Sequence, residues 1–287
     1  MESRGRRLVL GLADGGGLWC LGPMSGHAGG NSRRTRPRTL ALGLWLASRG
    51  LPARLSLLLT AAVAIAGASS AFWLVRHGAK TLVVVPTLTS YALTWGAGLS
   101  LAAAASVRVP CRDGETGVLY LVLARGATIG EYVRGRVGGL VVWTTCCTCA
   151  GTLVAIAATL TAARPTEPVL RASAGALAYT VAFGMTMGPV TMATLGARNR
   201  LRGYLALLLA VVVPELAAPW TERLLLPYGW RELASLPAAL GALRAAALAP
   251  SDGLRTARAL AGLTAAVAVS LVVITARAAR ATESSAP

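Results

Sequence analysis

Residues 137–163 read VGGLVVWTTCCTCAGTLVAIAATLTAA and contain no charged side chain. An α-helix of about 20 apolar residues crosses the hydrocarbon core of a bilayer, which is about 30 Å thick. A helix of a soluble protein usually has a polar face, and this stretch shows none. It also lacks the alternation of polar and apolar residues found in membrane β-barrels. The stretch therefore predicts a transmembrane helix, since a helix pairs every backbone polar group within its own segment.

Three further stretches, at residues 55–75, 81–107 and 172–197, are equally free of charge. The whole chain has 14% charged residues, whereas soluble domains average about a quarter. The sequence predicts an all-α integral membrane protein with about six transmembrane helices. The predicted spans are residues 55–75, 81–107, 137–161, 170–197, 201–218 and 259–276.

The formal net charge of +17 raises the question of a nucleic-acid partner. The arginines lie between the apolar segments and form no stripe along one face, so we predict no nucleic-acid binding. Three of the five cysteines, Cys146, Cys147 and Cys149, fall inside one apolar segment. They predict neither a disulfide framework nor a metal site, and we interpret them as small packing residues.

The chain divides by composition into a tail and one membrane domain. Residues 1–38 are predicted to be a disordered basic tail, within which Met24 offers an alternative start. Residues 39–281 form a single transmembrane domain, and residues 282–287 form a C-terminal tail. The stretch LALGLWLAS at residues 40–48 is too short to span, so we expect an interfacial helix with Trp45 at headgroup level.

The distribution of arginine and lysine between loops predicts the orientation. Both termini are expected in the cytoplasm and the protein in the cell (inner) membrane as a multi-pass chain. The cytoplasmic side then holds the basic residues of segments 33–54, 108–136, 198–202 and 277–280. The outer segment at residues 219–258 departs from the rule. Its arginines are Arg223, Arg231, Arg244, Arg255 and Arg258.

That outer segment, between the fifth and sixth spans, has a helical pattern of its own. Apolar residues recur at steps of three and four, which predicts outer amphipathic helices interrupted near Pro237. The stripe is Leu233, Leu236, Leu240, Leu243 and Ala247, and the residues expected off it are Arg231, Glu232, Ser235 and Arg244. Either these helices dip into the membrane or they form a small cap outside it.

The loop between the second and third spans carries the most distinctive pattern. Residues 107–139 read VRVPCRDGETGVLYLVLARGATIGEYVRGRVGG. Thr128 and Glu131 have the spacing of a capping box, which predicts the start of a second short helix after the apolar run 118–123. We expect two short helices at right angles to the spans, and a loop of this kind predicts a docking surface for a cytoplasmic partner.

The same loop resembles the permeases of type-2 ATP-binding-cassette transporters. In that family an acidic residue and a Gly-Thr-like turn precede a Leu-rich helix. Basic residues, a Glu-Tyr pair and a Gly-basic pair then open the third span. The matching residues here are Asp113, Glu115, Thr116, Gly117, Leu119, Leu123, Arg125, Glu131, Tyr132, Gly135 and Arg136. Gly126 stands where the family often has Pro, and Arg136 where it often has Lys. Heme-exporter permeases share much of the pattern.

The resemblance covers about residues 39–281 and implies a function. It implies an exporter in which a separate cytoplasmic ATPase docks on a coupling helix at about residues 115–123, where Tyr120 also lies. It further implies pairing with a second copy or a related permease, within membrane lipid. The chain has no G-x-x-x-x-G-K-[ST] loop, because its Lys80-Thr81 pair lacks the glycines. We therefore expect no enzyme activity and no bound cofactor in this chain, with ATP and Mg²⁺ held by the partner.

Other functions stay open at this point. Glu215, near the end of the fifth span, is a candidate for the transport pathway because ionisable residues at membrane depth are usually functional. Met185 and Met187, in a fourth span rich in glycine, are weaker candidates for the same pathway. The alternatives to a permease are a scaffold protein, a secondary transporter and a membrane-embedded enzyme. The last would need clustered polar catalytic residues, and no His, Asp or Lys lies within a predicted span.

Overall fold

The computed structural model of the chain describes residues 36–49, 51–79, 82–224, 231–248 and 253–283. Within these ranges all regular structure is helical, and no strand occurs. The predicted tail at residues 1–38 lies outside the described part as far as residue 35, and a helix already begins at Arg36. The predicted C-terminal tail lies outside it from residue 284 onward.

The helices are numbered in chain order. They are α1 (Arg36–Ser48), α2 (Leu51–Arg76), α3 (Val84–Tyr91), α4 (Leu99–Ser106), α5 (Val109–Glu115), α6 (Val118–Ala124), α7 (Ile129–Ala162), α8 (Glu167–Leu195), α9 (Arg200–Leu224), α10 (Arg231–Ala234), α11 (Leu236–Leu248) and α12 (Gly253–Glu283). A π-helical segment, Ala92–Gly98, connects α3 to α4.

Five helical stretches of the described part are long and apolar enough to cross a membrane. They are Ala53–Arg76, Val84–Glu115, Ile129–Ala162, Glu167–Leu195 and Gly253–Thr282. The prediction of an all-α membrane protein is confirmed at this level. The fifth predicted span, residues 201–218, corresponds to α9, which is not among the five and carries Arg200, Arg202 and Glu215. The total of six spans therefore stays a prediction.

Helix α1 packs against the beginning of α7 through glycines. A Cβ atom added at Gly139 would lie 2.3 Å from the backbone of Gly43, and one at Gly135 would lie 2.7 Å from the backbone of Thr39. Real Cβ atoms do not approach so closely, so only glycine permits this separation of the two helices. Gly135 and Gly139 thus form a G-x-x-x-G face, which is typical of tight packing between membrane helices. The short apolar helix predicted at residues 40–48 is present, and it begins at Arg36.

Helices α7 and α8 form the centre of the domain and are joined by small and hydroxyl-bearing residues. A Cβ atom at Gly184 would lie 2.0 Å from the hydroxyl oxygen of Thr145. Deeper in the interface the hydroxyl oxygens of Thr152 and Thr180 are 3.2 Å apart. Each of those threonines also donates to the carbonyl four residues earlier in its own helix, so neither hydroxyl is left unpaired. Glycine and threonine therefore permit the close contact that buries much of α8.

Between α9 and α12 the chain forms two consecutive helices, α10 and α11, which we call the hairpin, and α11 packs along α8. Leu236, at the start of α11, belongs to the same buried cluster as Val190 of α8. At the other end of α11, Ala247 lies against Gly175 of α8, which is fifteen residues before Val190. The helices predicted in the outer segment are present and are broken at Ser235, just before Pro237, while the choice between dipping into the membrane and forming an external cap stays a prediction.

The hairpin differs from the predicted amphipathic pattern in two polar residues. Glu232 and Ser235 were expected off the apolar stripe, yet both are buried. The reason is that neighbouring helices supply polar partners at this depth. Arg255 of α12 donates to Glu232 at 2.8 Å, and Ser235 donates to Glu215 of α9. A buried polar group is tolerated when it has such a partner.

Candidate docking surface and transport pathway

The loop between the second and third spans folds into α5 and α6, joined by two sharp turns. Arg108 starts α5 from a left-handed backbone conformation with φ of 56°, and Gly117 separates α5 from α6 with φ of 76°. The Arg108 N–H donates to the carbonyl of Leu195 at 2.9 Å, which attaches the loop to the end of α8. Glycine adopts positive φ at no steric cost, so Gly117 suits the turn that the resemblance assigned to it.

The inner side of α5 is fastened to α7 by a buried ion pair. The guanidinium of Arg136 donates through Nε to Oδ2 of Asp113 at 2.8 Å and through Nη2 to Oδ1 at 3.0 Å. The Tyr132 hydroxyl donates to the same Oδ2 at 2.6 Å. Asp113 is 2% exposed and Arg136 is 4% exposed. These three residues therefore hold the loop to the third span and are not available to a docking partner.

The inner side of α6 is apolar. Leu119 is 0% exposed and lies in a core cluster with Val133 of α7 and Ile274 of α12. Leu123 is partly buried against the same cluster. The assignment of Leu119 to a docking surface is therefore not supported by its position, because a side chain enclosed within the protein contacts no partner. The apolar run at residues 118–123 predicted a short helix but did not indicate which of its sides faces inward.

The opposite side of α5 and α6 is exposed, and we call it the outer face. It presents two large apolar or aromatic side chains, Tyr120 and Leu121, of which Leu121 is 62% exposed. Charged residues flank them. The outer face consists of Arg112, Glu115, Thr116, Tyr120, Leu121 and Arg125. Glu115 is paired with Arg108 at 2.6 Å, and the Tyr120 hydroxyl donates to the carbonyl of Ala281 at 3.4 Å.

The predicted capping box is present, but the helix it starts is α7 itself. The Thr128 hydroxyl accepts from the N–H of Glu131 at 3.2 Å, and the Glu131 carboxylate accepts from the N–H of Thr128 at 3.0 Å. Glu131, Tyr132 and Arg136 thus belong to the first turns of the third span and not to a separate short helix. The two short helices are α5 and α6, because Arg108 and Gly117 provide the turns.

The three residues predicted for a transport pathway lie in different surroundings. Met187 is fully buried within the cluster that joins α8 to α11, whereas Met185 on the same helix is 58% exposed. Glu215 of α9 accepts from the Arg231 guanidinium and from the Ser235 hydroxyl, both in the hairpin. Two methionines spaced two residues apart point to different sides of a helix, so the structure does not bring these three together.

An aromatic cluster at the π-helical segment was not predicted from the sequence. The indole N–H of Trp95 donates to the Tyr179 hydroxyl at 2.6 Å, and the Tyr179 ring stacks on Tyr91 at 5.8 Å between centroids. Phe183 meets Trp95 edge to face at 5.3 Å. The π-helical segment shifts the register of the second span at this place, and such segments are frequent at functional sites. The two glycines near Trp95, Gly96 and Gly98, were the features of the sequence that could have indicated an irregular helix here.

The ranges that the structure describes contain no candidate metal-binding site. No group of three or more His, Cys, Asp or Glu side chains is arranged there to hold an ion. Among the three cysteines of α7, Cys147 is buried and Cys146 is exposed, so their sulfurs do not converge.

The comparisons with known proteins give no family for this chain. No protein-family model matches it, and no curated protein matches it.

Proposed function

We propose that the chain is the membrane-spanning permease subunit of an ATP-binding-cassette transporter, and that a separate ATPase subunit docks on the outer face. The observation that carries the proposal is the two-sided construction of α5 and α6. Their inner side is tied to α7 by the Asp113–Arg136 ion pair and by Leu119. Their outer side leaves Tyr120 and Leu121 exposed beside charged residues. A simple connection between two spans needs neither property.

The exposed residues suit a protein partner. Aromatic and aliphatic side chains ringed by charge are typical of the centre and rim of protein interfaces. In the proposed complex Tyr120 and Leu121 enter a pocket of the ATPase, while Arg112 and Arg125 lie at the rim. The outer face is placed in the cytoplasm, in keeping with the arginines of this end of the bundle, and the complex is placed in the cell membrane.

The proposed mechanism is alternating access between two arrangements of the helices. ATP and Mg²⁺ bind to the partner, and closure of the ATPase displaces α5 and α6. Because the Asp113–Arg136 ion pair is buried and bidentate, a movement of α5 is transmitted directly to α7. Pairing with a second copy or with a related permease completes the pathway, and export is the direction implied by the resemblance.

Two further features support a permease of this kind. The short α1 packs along the start of α7 in the place expected for an interfacial helix. The α10–α11 hairpin, which follows α9 and precedes α12 in the chain, shares a buried cluster with α8. The same resemblance predicts both features.

The test is co-purification of the tagged chain from its native membranes in mild detergent. Leu121→Asp places a charge at the centre of the outer face, and Leu254→Asp places the same charge at the opposite end of the bundle. The two leucines are similarly exposed, at 62% and 65%. We expect an ATP-binding-cassette ATPase to co-purify with the wild type and with Leu254→Asp but not with Leu121→Asp. Leu119 is unsuitable for this test because a charge there would disrupt the core.

Size-exclusion profiles matching the wild type serve as the folding control for both variants. If no ATPase accompanies the wild-type chain, or if Leu121→Asp retains it fully, the outer face is not a docking surface for such a partner. The scaffold and secondary-transporter alternatives then take precedence.

A further inference from the structure

A large basic cavity opens where α8 ends and α9 begins, beside α5 and the end of α12. Its volume is about 980 Å³. Four arginines line it, from the α8–α9 turn, the first turn of α9 and the last turns of α12: Arg198, Arg202, Arg277 and Arg280. The described residues that line it include one carboxylate, Glu115, which is already paired with Arg108 at 2.6 Å.

Most of the positive charge of this cavity has no acidic partner among the described residues. Within the described ranges no acidic residue forms an ion pair with Arg198, Arg202 or Arg280. The N-terminus of α9 adds to the field, because the first N–H groups of a helix carry partial positive charge. Four guanidinium groups around one cavity favour an anion with several oxygen acceptors, such as a phosphate.

A second cavity, of about 470 Å³, lies beside the first between α8, α9 and α12. Helices α9 and α12 each pack against α8 but make few contacts with each other in the described part of the chain, which leaves a groove between them. The groove is lined mainly by small and aliphatic residues, including Val190, Ala210, Ala266 and Val269. Such a lining suits a hydrocarbon chain.

Arg277 lines both cavities and therefore marks the place where they meet. Its guanidinium donates through Nη1 to the carbonyl of Ala193 in the last turn of α8. Of its five N–H donors, this is the single one with a partner among the described residues. The side chain is thus fixed at the boundary between the basic cavity and the apolar groove, with donors left for a ligand.

We infer that this composite site binds an anionic phospholipid, with its phosphate among the arginines and one acyl chain in the groove. A free phosphate would occupy the basic cavity alone, whereas the adjoining groove fits the hydrocarbon part of the same ligand. Basic pockets between membrane helices near a bilayer surface are known sites for acidic lipid headgroups. The inference concerns a bound lipid and does not rest on the proposed transport function.

The test uses the purified full-length chain in nanodiscs and measures retained lipid by native mass spectrometry. Nanodiscs of phosphatidylglycerol mixed with phosphatidylcholine report the preference for an anionic headgroup. We expect the wild type to retain phosphatidylglycerol selectively. The double variant Arg198→Ala/Arg280→Ala is expected to lose about fivefold in selectivity for each arginine removed. Both side chains are exposed and outside any described ion pair, so the fold is expected to persist.

The matched control is Arg76→Ala/Arg164→Ala, which removes the same charge from exposed positions at the opposite end of the bundle. We expect it to keep the wild-type selectivity. Equal losses in the two double variants would mean a diffuse charge effect and would overturn the site. Equal retention of phosphatidylcholine and phosphatidylglycerol by the wild type would overturn it as well.

Two arms distinguish a lipid from a soluble phosphate. Ala210→Phe fills the groove, so it is expected to weaken phosphatidylglycerol retention while leaving the arginines in place. Inorganic phosphate and glycerol 3-phosphate, which lack acyl chains, are expected to displace the lipid poorly. If they displace it at matched concentrations and Ala210→Phe has no effect, the cavity takes a soluble phosphate and the lipid assignment is wrong.

Discussion

Arg136 and Asp113 form a two-point ion pair that joins the third span to α5, with N–O distances of 2.8 and 3.0 Å. Both side chains are almost fully enclosed. An enclosed pair of this kind contributes little to stability compared with apolar residues of the same shape, yet removing one partner leaves an uncompensated charge. The pair therefore fixes where α5 lies, and its two halves are predicted to be strongly coupled.

The first prediction concerns that coupling. Arg136→Met is expected to lower the free energy of unfolding by about 3–5 kcal/mol, because the Asp113 charge stays buried without a partner. The double variant Asp113→Leu/Arg136→Met is expected to recover most of this loss. Thermal unfolding in detergent, followed by tryptophan fluorescence, measures both. Glu115→Gln is the control, since it breaks the exposed pair with Arg108 and should cost at most about 1 kcal/mol.

The coupling is refuted if the double variant unfolds as easily as Arg136→Met. In that case the two side chains would contribute to the free energy of unfolding through their volumes alone.

The second prediction concerns the glycine face between α1 and α7. Gly139→Ala places a Cβ 2.3 Å from the Gly43 backbone, so α1 must move away. We expect faster hydrogen exchange throughout α1 and a lower unfolding temperature. Gly241→Ala in α11 is the matched control, because nothing lies within 4 Å of its added Cβ. There the change should stabilise the helix by about 0.5–1 kcal/mol. Unchanged exchange in α1 of Gly139→Ala would contradict the close packing.

The third prediction concerns the attachment of the hairpin. Glu215 holds both Arg231 and Ser235, so Glu215→Ala removes two charge-assisted hydrogen bonds at once. The Glu215 and Arg231 side chains are partly exposed, and we expect the free energy of unfolding to fall by about 1–2 kcal/mol. A cysteine introduced at Ala234 should react faster with a water-soluble thiol reagent in this variant. Glu167→Ala breaks the exposed pair with Arg171 and should leave that rate unchanged. Equal rates in the two variants would argue against the attachment.

The fourth prediction concerns the start of α7. Thr128→Ala removes the capping hydrogen bond to the Glu131 N–H and is expected to cost about 1 kcal/mol. Hydrogen exchange should accelerate in the first turn of α7. Thr166 precedes α8 in the corresponding position but makes no side-chain capping bond, so Thr166→Ala should have little effect. A comparable acceleration in both helices would show that the capping bond is not responsible.

The apolar spans could be predicted from the sequence because charge is excluded from long stretches, as in residues 137–163, whatever the packing. The capping box at Thr128 was equally clear, since its residues are local. The helix that it begins was not clear, because α7 can start this early only when the polar residues Tyr132 and Arg136 find a partner in Asp113 of α5. When one helix starts in a polar segment and continues into an apolar one, its sequence pattern predicts a short helix followed by a separate span.

The site was predicted less completely than the fold. Asp113, Tyr132 and Arg136 carry the resemblance, yet their role in this structure is internal, and only the distances between them reveal it. Leu119 and Leu121 are both apolar in a helix of seven residues, too short for a periodic pattern to tell the inner side from the outer. Tertiary contacts decide that question. Similarly, Glu232 is buried because Arg255 lies opposite, 23 residues further along the chain.

The length of α7 has a mechanical consequence. Its 34 residues make a rod about 51 Å long at about 1.5 Å per residue, while a hydrocarbon core measures about 30 Å. The helix is uninterrupted over this length and contains no proline, a common cause of helix kinks. Both α1 and α5 are attached near its first turns, at Gly135 and Arg136. A force applied at that end of α7 would therefore tilt the whole helix relative to α8, as a force on one end of a lever does, and would not bend the helix locally.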